Sequence, residues 1–367
     1  MALTETTEFT ESNRRSGKNG SVLIVVLWVI GLLSIFVMAF AFDMHIETRI
    51  VSTWRKMLKA EYLSQAGIEL ARMSLLSMTD EGVGNPETSG YLTEGSDTER
   101  RSATVALAQG SGAELTRTLG EGTITVHIRP ENSRIDLNSI TANDIKNDMK
   151  SEAVLKIWDS IFEASGVPLE QRDALLDCLR DWVDQEDELS HLNGAESDYY
   201  ETLDPPYEAK NGPFDTVEEL ALVKGFNELI PDTSQTVYEA VGRFLTTYGA
   251  TKINVNAADA ETLMAMFGID QQMAEEIILQ RNGPDGLPGT EDDQPYIEAD
   301  KPALQALGLN GDNIAFKDQS YFYIQSSGKV GDVERVTACV VRLEDKNLTV
   351  LRWIEGDSSA STELITR

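Results

Sequence analysis

From Val22 to Phe42 the chain is apolar without a single charge. As an α-helix this run spans about 31 Å, the thickness of bilayer hydrocarbon. The pattern then changes rather than stops. Ile46, Ile50, Trp54, Met57, Leu58, Tyr62, Ile68, Met73 and Leu76 recur at three-to-four spacing with charges between them, the signature of an amphipathic helix. Beyond the span Gly67 is the sole glycine of this stretch, and no proline occurs before Pro86. The pattern predicts one helix from about Val22 to Met78, its first half apolar and its second amphipathic. Gly82 to Glu99, rich in Gly, Ser, Thr and acids, reads as a loop. Ala103–Ala108, Glu114–Leu119 and Gly122–Arg129 read as strands, the last two joined by a tight turn at Gly120-Glu121-Gly122. From about Ser151 to Gly308 the period is helical: Ala153–Ser165, Pro168–Val183, Thr216–Lys224, Ala258–Phe267 and Gln272–Arg281. Strands return at Tyr321–Ser326, Glu334–Leu343 and Leu348–Ile354. The expected fold class is α+β: a long N-terminal helix and an antiparallel sheet, interrupted by a large inserted all-α domain.

The flanks of the apolar run set its orientation. Arg14, Arg15 and Lys18 precede it, whereas Asp43, His45 and Glu47 follow it. The positive-inside rule places the N-terminus in the cytoplasm and the large domain across the membrane. A cleaved secretory signal would have a shorter apolar core; Ala39 and Ala41 match its cleavage site only weakly. Over 367 residues the net charge is −30, which argues against nucleic-acid partners, since these require basic surface. Two cysteines in apolar contexts, Cys178 and Cys339, read as buried thiols rather than a disulfide framework. His45, His127 and His191 lie in unrelated contexts, unsuited to a histidine metal site or triad.

Acidic residues concentrate in one place. Between Asp177 and Glu201 stand nine acids (177, 181, 184, 186, 187, 188, 196, 198 and 201) and one base, Arg180, with Asn193-Gly194 in a turn among them. Calcium takes six to eight oxygens from carboxylates, amides and carbonyls, and a helix end running into such a loop offers all three. Asp184, Asp187 and Glu196 are the candidate ligands, with Glu186 and Glu188 beside them; a solvated acidic loop is the alternative. A second candidate is the 285–293 segment with Asp285, Asp292 and Asp293, which interrupts the helix pair as an insertion would. It lacks the alternating acids and distant Glu of an EF-hand. Enzymatic signatures such as a phosphate loop, zinc spacing or a nucleophile elbow are missing, so a catalytic role is not expected.

The basic leader ending at Gly20, the apolar helix that starts at once after it, and its amphipathic extension together resemble the N-terminus of type IV pilins and pseudopilins. That resemblance implies cleavage after Gly20 by a prepilin peptidase and methylation of the new N-terminus, Ser21. Most members carry a Glu five residues into the mature chain; here it is Val25, the departure associated with the K-type minor pseudopilin of type II secretion. An unpaired carboxylate in lipid would only cost energy where no neighbour's N-terminal amine lies above it. The resemblance extends through Asp181-Trp182-Val183-Asp184-Gln185-Glu186-Asp187, Gly194-Ala195-Glu196 and Tyr199-Tyr200. It continues through Pro206 to Phe214, Glu218-Glu219-Leu220 and Ile253-Asn254-Val255-Asn256-Ala257-Ala258. It implies a sterile-alpha-motif-like or helix-hairpin-helix-like inserted domain that binds calcium. The segments are then 1–20 leader, 21–78 helix with 22–42 in the membrane, 79–135 first part of the pilin-like domain, 136–318 helical insertion, and 319–367 closing strands and tail.

Gly268-Ile269-Asp270 echoes a DNA-binding helix-hairpin-helix, but Asp270 replaces the second glycine with a charge that repels phosphate. Asn256 reads instead as the cap of a helix starting near Ala257. The resemblance implies a single-pass protein of the bacterial inner membrane with its main domain in the periplasm, at the tip of the pseudopilus. Its implied partners are the I- and J-type minor pseudopilins, with the H type as a further candidate, and the major pseudopilin. A minor pilin of a surface pilus or a membrane-anchored DNA-uptake protein are the competing readings. The first should keep the Glu and lack the insertion; the second should bind DNA in a salt-sensitive manner.

Overall fold

The computed structural model describes residues 19–78, 106–141, 148–185, 188–189, 192–249, 252–288, 292–309, 311–317, 320–344 and 346–357. Contacts divide the chain into two units, Met1–Leu58 and Lys59–Arg367.

Helix α1 runs without a break from Asn19 to Met78. In the first unit its apolar side chains, from Val22 onward, are exposed. Among the described residues it is the one helix long and apolar enough to cross a membrane, with a stretch of mean hydropathy 3.0.

In the second unit, the end of α1 lies on one face of a five-stranded antiparallel sheet of order β1-β2-β7-β8-β9. The strands are β1 (Ala113–Leu119), β2 (Gly122–Pro130), β7 (Tyr321–Val330), β8 (Val333–Glu344) and β9 (Asn347–Asp357). Gly120 (φ +61°) makes the β1–β2 turn. In β2 the alternation of Ile124, Val126 and Ile128 with polar residues sends every second side chain under α1. The buried face of α1 differs from the expected stripe of large residues. It is made of Ala60, Ser64, Gly67, Ile68, Ala71, Ser74 and Leu75, while Tyr62 and Met73 are exposed. Small side chains let the helix settle directly on the strands. A Cβ on Gly67 would lie 2.0 Å from Ser326 Oγ, and one on Gly328 would lie 2.1 Å from the Ala60 carbonyl oxygen. Ser64 Oγ and Thr337 Oγ1 close this seam with a buried hydrogen bond of 2.7 Å.

The expected strand over Ala103–Ala108 is corrected in part: 106–108 form a helical turn, and 103–105 lie outside the described residues. This turn packs Leu107 against the α1–sheet core, a burial that the β-like composition did not specify.

Between β2 and β7 the chain leaves the sheet and builds a second core from helices α2 (Leu137–Thr141), α3 (Asp148–Ala164), α4 (Leu169–Val183), α5 (Ser197–Tyr200), α6 (Val237–Gly242), α7 (Ala260–Phe267), α8 (Gln271–Arg281) and α9 (Lys301–Ala306). A 3-10 turn at Val217–Leu222 stands where a short helix was expected. Trp158, Phe162 and Phe226 form its centre. Two-residue parallel ladders, β3 (Ile135–Asp136) with β4 (Leu245–Thr246) and β5 (Ile253–Asn254) with β6 (Ile314–Ala315), bring distant parts of the insertion together. Cys178 belongs to this helical core and Cys339 to the α1–sheet core; both are free and buried.

Candidate functional site: a carboxylate cluster at the end of α4

Helix α4 presents Asp177 and Asp181 four residues apart on one face, and Asp184 is the residue that ends it, its N–H still donating to the Arg180 carbonyl. Its last turn also holds Trp182, which meets Tyr200 edge-on at 5.1 Å. Tyr200 in turn stacks on Tyr207 at 5.3 Å. This aromatic wedge fixes the segment after the acidic loop against α4, and with it Glu196, the residue just before α5. One carboxylate oxygen each from Asp181, Asp184 and Glu196 lies within 4.8 Å of the others. Asp181 and Glu196 are buried and Asp184 is half-buried.

Gly194 makes this approach possible. A Cβ there would fall 1.7 Å from Asp181 Oδ2, so only glycine leaves room for the carboxylate. The neighbouring turn is tied to α4 as well. Asn193 Nδ2 donates to Asp177 Oδ2 (3.3 Å), and Cys178 Sγ donates to the Asn193 carbonyl (3.3 Å). Burial pushes the Cys178 thiol up to about 11, with Lys224 partly opposing the shift and Asp181 and Asp177 adding to it.

Three carboxylates so placed repel one another, and they sit at a helix C-terminus, whose partial negative charge favours cations. Two oxygens bound to one calcium at about 2.4 Å can be at most about 4.8 Å apart, which the cluster satisfies. The donors are hard oxygens, the class calcium and magnesium take. The residues therefore fit a divalent cation.

Of the residues singled out in the sequence, Asp184 and Glu196 are brought together here. Glu186 and Asp187 lie outside the described residues, and Glu188 is exposed. Asp181, which sequence reasoning left out of the ligand set, is the most buried member of the cluster. Its signal was present: it lies three residues before Asp184, in the last turn of α4.

The second acidic segment is arranged differently. Asp292 Oδ2 accepts from the Asp285 backbone N–H (3.1 Å), and Asp285 Oδ1 accepts from Leu287 N–H (2.8 Å). Among the described residues, Asp285, Asp292 and Asp293 do not form a three-carboxylate group of the kind at α4. Glu291 lies outside those residues.

The helix-hairpin-helix echo resolves into caps. Gly268 (φ +67°) ends α7, and Asp270 accepts from Met273 N–H (2.8 Å) to begin α8. The expected capping role of Asn256 is corrected. Asp259 caps α7 by accepting from Thr262 N–H at 2.7 Å. Asn256 is instead a buried cross-link: its Nδ2 donates to the carbonyls of Tyr296 (2.9 Å) and Phe316 (2.8 Å), and its Oδ1 accepts from Tyr296 N–H (2.8 Å). At the processing junction, Gly20 and Ser21 are both helical within α1.

The family described as type II secretion system (T2SS), protein K matches residues 133–250, the segment that builds the carboxylate cluster. The type II secretion system protein K of Pseudomonas aeruginosa is 26% identical over 328 residues, covering 88% of each chain. The chain thus resembles protein K of type II secretion along most of its length, and matches the family's model over 133–250. A second protein K, from Aeromonas hydrophila, is 26% identical over 253 residues, 64% of this chain and 72% of that one. The fold is shared with one chain of a solved GspK-GspI-GspJ complex from enterotoxigenic Escherichia coli. That match has a TM-score of 0.51 and 17% identity, and covers 85% of this chain and 100% of the other. These similarities support the role of a minor pseudopilin of type II secretion, and the proteins that this chain resembles are structural components of the secretion machinery. Its N-terminal apolar helix is a candidate membrane anchor.

Proposed function

We propose that this protein is the tip subunit of a periplasmic pseudopilus, initiating and capping its assembly for the export of folded proteins. The reading is carried by one observation. The chain between β2 and β7 leaves a small helix-and-sheet scaffold and returns to it only after building a helical domain with a core of its own. Such a mass would obstruct the addition of a further subunit above it. Val25, which replaces the usual carboxylate, leaves nothing to receive the amine of such a subunit.

In this account a prepilin peptidase removes residues 1–20, Ser21 is methylated, and α1 anchors the protein in the inner membrane with its main domain in the periplasm. Arg14, Arg15 and Lys18 before the span support that orientation. The partners are I- and J-type minor pseudopilins, as in the solved complex of the GspK relative, whose helices would pack along α1. Asp181, Asp184 and Glu196 would hold a calcium ion, which neutralises their mutual repulsion and ties the end of α4 to the segment before α5.

Intact-mass analysis and N-terminal sequencing of the protein from native membranes test the processing. A mature chain beginning at methylated Ser21 is expected. A chain retaining residues 1–20 in cells with an active peptidase would remove it from the pseudopilins.

A further inference from the structure

We propose that Lys224 is the internal counter-charge of the Asp181–Asp184–Glu196 cluster, supporting the metal-free site and opposing calcium entry. The proposal rests on the reading of that cluster as a cation site.

Lys224 follows the 3-10 turn Val217–Leu222 and is held by three contacts. Its backbone N–H donates to Tyr200 Oη (3.2 Å), its Nζ donates to the Gly194 carbonyl (3.4 Å), and the ammonium lies 4.7 Å from the centroid of the Tyr199 ring. All three partners belong to the short segment that carries Glu196. Gly194 is also the residue against which Asp181 packs, with no room for a Cβ between them. One glycine therefore touches an Asp181 carboxylate at its α-carbon and the Lys224 ammonium at its carbonyl. Lys224 and Asp181 both act electrostatically on Cys178, one turn back on α4.

Arg180, the base within the acidic stretch, pairs with Asp177 at 3.5 Å and lines a crevice with Trp158, Ile140 and Val154. Lys224 is an ammonium that the fold brings to the Glu196 side of the cluster. Its nearest ties are a carbonyl and a ring rather than a carboxylate, so its charge acts through space. A positive charge so placed offsets carboxylate repulsion in the absence of metal and repels a divalent ion that enters.

The sign of this effect separates it from a purely structural strap. Lys224→Met keeps the aliphatic stem on Tyr199 and removes the charge. In the full-length, detergent-solubilised protein, calorimetric titration with calcium chloride should give a dissociation constant about tenfold lower than wild type. The chelated variant should melt below chelated wild type, so that the gain in Tm on adding calcium widens. Lys224→Arg should keep the wild-type affinity. A variant that folds only with calcium present would also support the proposal. An unchanged or higher dissociation constant for Lys224→Met would overturn it, leaving the cation site itself intact. Failure of the wild type to bind calcium at millimolar concentration would instead remove the cation-site reading, and this inference with it.

Discussion

Gly67→Ala opposes two well-defined energies in one residue. Helix propensity alone favours the change by about 1 kcal/mol, since Ala is the best helix former and Gly among the worst. The packing opposes it. The added Cβ would stand 2.0 Å from Ser326 Oγ, 2.7 Å from Ile124 Cγ2 and 2.9 Å from Val126 Cγ2. Ser326 is fully buried, and both methyls belong to β-branched strand residues with restricted rotamers, so relief requires α1 to lift from the sheet. Overpacking of this kind costs about 1–3 kcal/mol and often more where contacts fall this short. Lifting the helix also strains the buried Ser64–Thr337 hydrogen bond. The net expectation is a loss of about 2 kcal/mol, or a Tm lower by about 4 °C for a domain of this size. The full chain in detergent, followed by the fluorescence of Trp158, Trp182 and Trp353 during heating, reads it. Gly328→Ala should lose more, because its Cβ would meet backbone, the Ala60 carbonyl oxygen at 2.1 Å and the Ser64 nitrogen at 2.6 Å. A rise in Tm for Gly67→Ala would refute the reasoning, since helix propensity alone predicts a rise of about 2 °C.

Other residues give further tests. Asp181→Asn should raise the calcium dissociation constant at least about tenfold and abolish most of the calcium-dependent gain in Tm; an unaltered calorimetric isotherm would exclude Asp181 as a ligand. Asn256→Ala leaves the buried Tyr296 N–H and two carbonyls without their partner and should destabilise by about 3 kcal/mol in chemical denaturation. Burial raises the Cys178 thiol to about 11 and the Cys339 thiol to about 12, from an ordinary value of 9.0. The unfolded chain therefore sheds these protons first, and stability should fall as pH rises above about 9. Thiol labelling of the native protein at neutral pH should be slow and should become fast on unfolding; rapid labelling of the native state would contradict the buried placement.

Much of this architecture is written locally. The apolar run after Lys18 and the charge-free span to Phe42 set the start and character of α1. Alternation in Gly122–Arg129 and Glu334–Leu343 gives strands, and Asp259 and Asp270 are ordinary caps one residue before their helices. What escaped the sequence depends on contacts across long separations. The face of α1 that packs on the sheet is chosen by closeness of approach, so small residues at 60, 64, 67 and 71 outrank the larger Tyr62 and Met73. Asn256 looked like a cap because its partners, Tyr296 and Phe316, lie 40 and 60 residues away. At the acidic loop, the density of carboxylates marked the region. Which of them converge depended on Gly194 and on the Trp182–Tyr200 wedge, and this added Asp181 to Asp184 and Glu196.

The most direct test of the central claim is the number and position of copies of this protein on isolated pseudopili, read by labelling a surface cysteine introduced at Leu192. This residue is almost fully exposed. The account predicts a single label at one end of each filament. Labels distributed along the shaft would contradict it, because a subunit that admits another above it cannot be the cap.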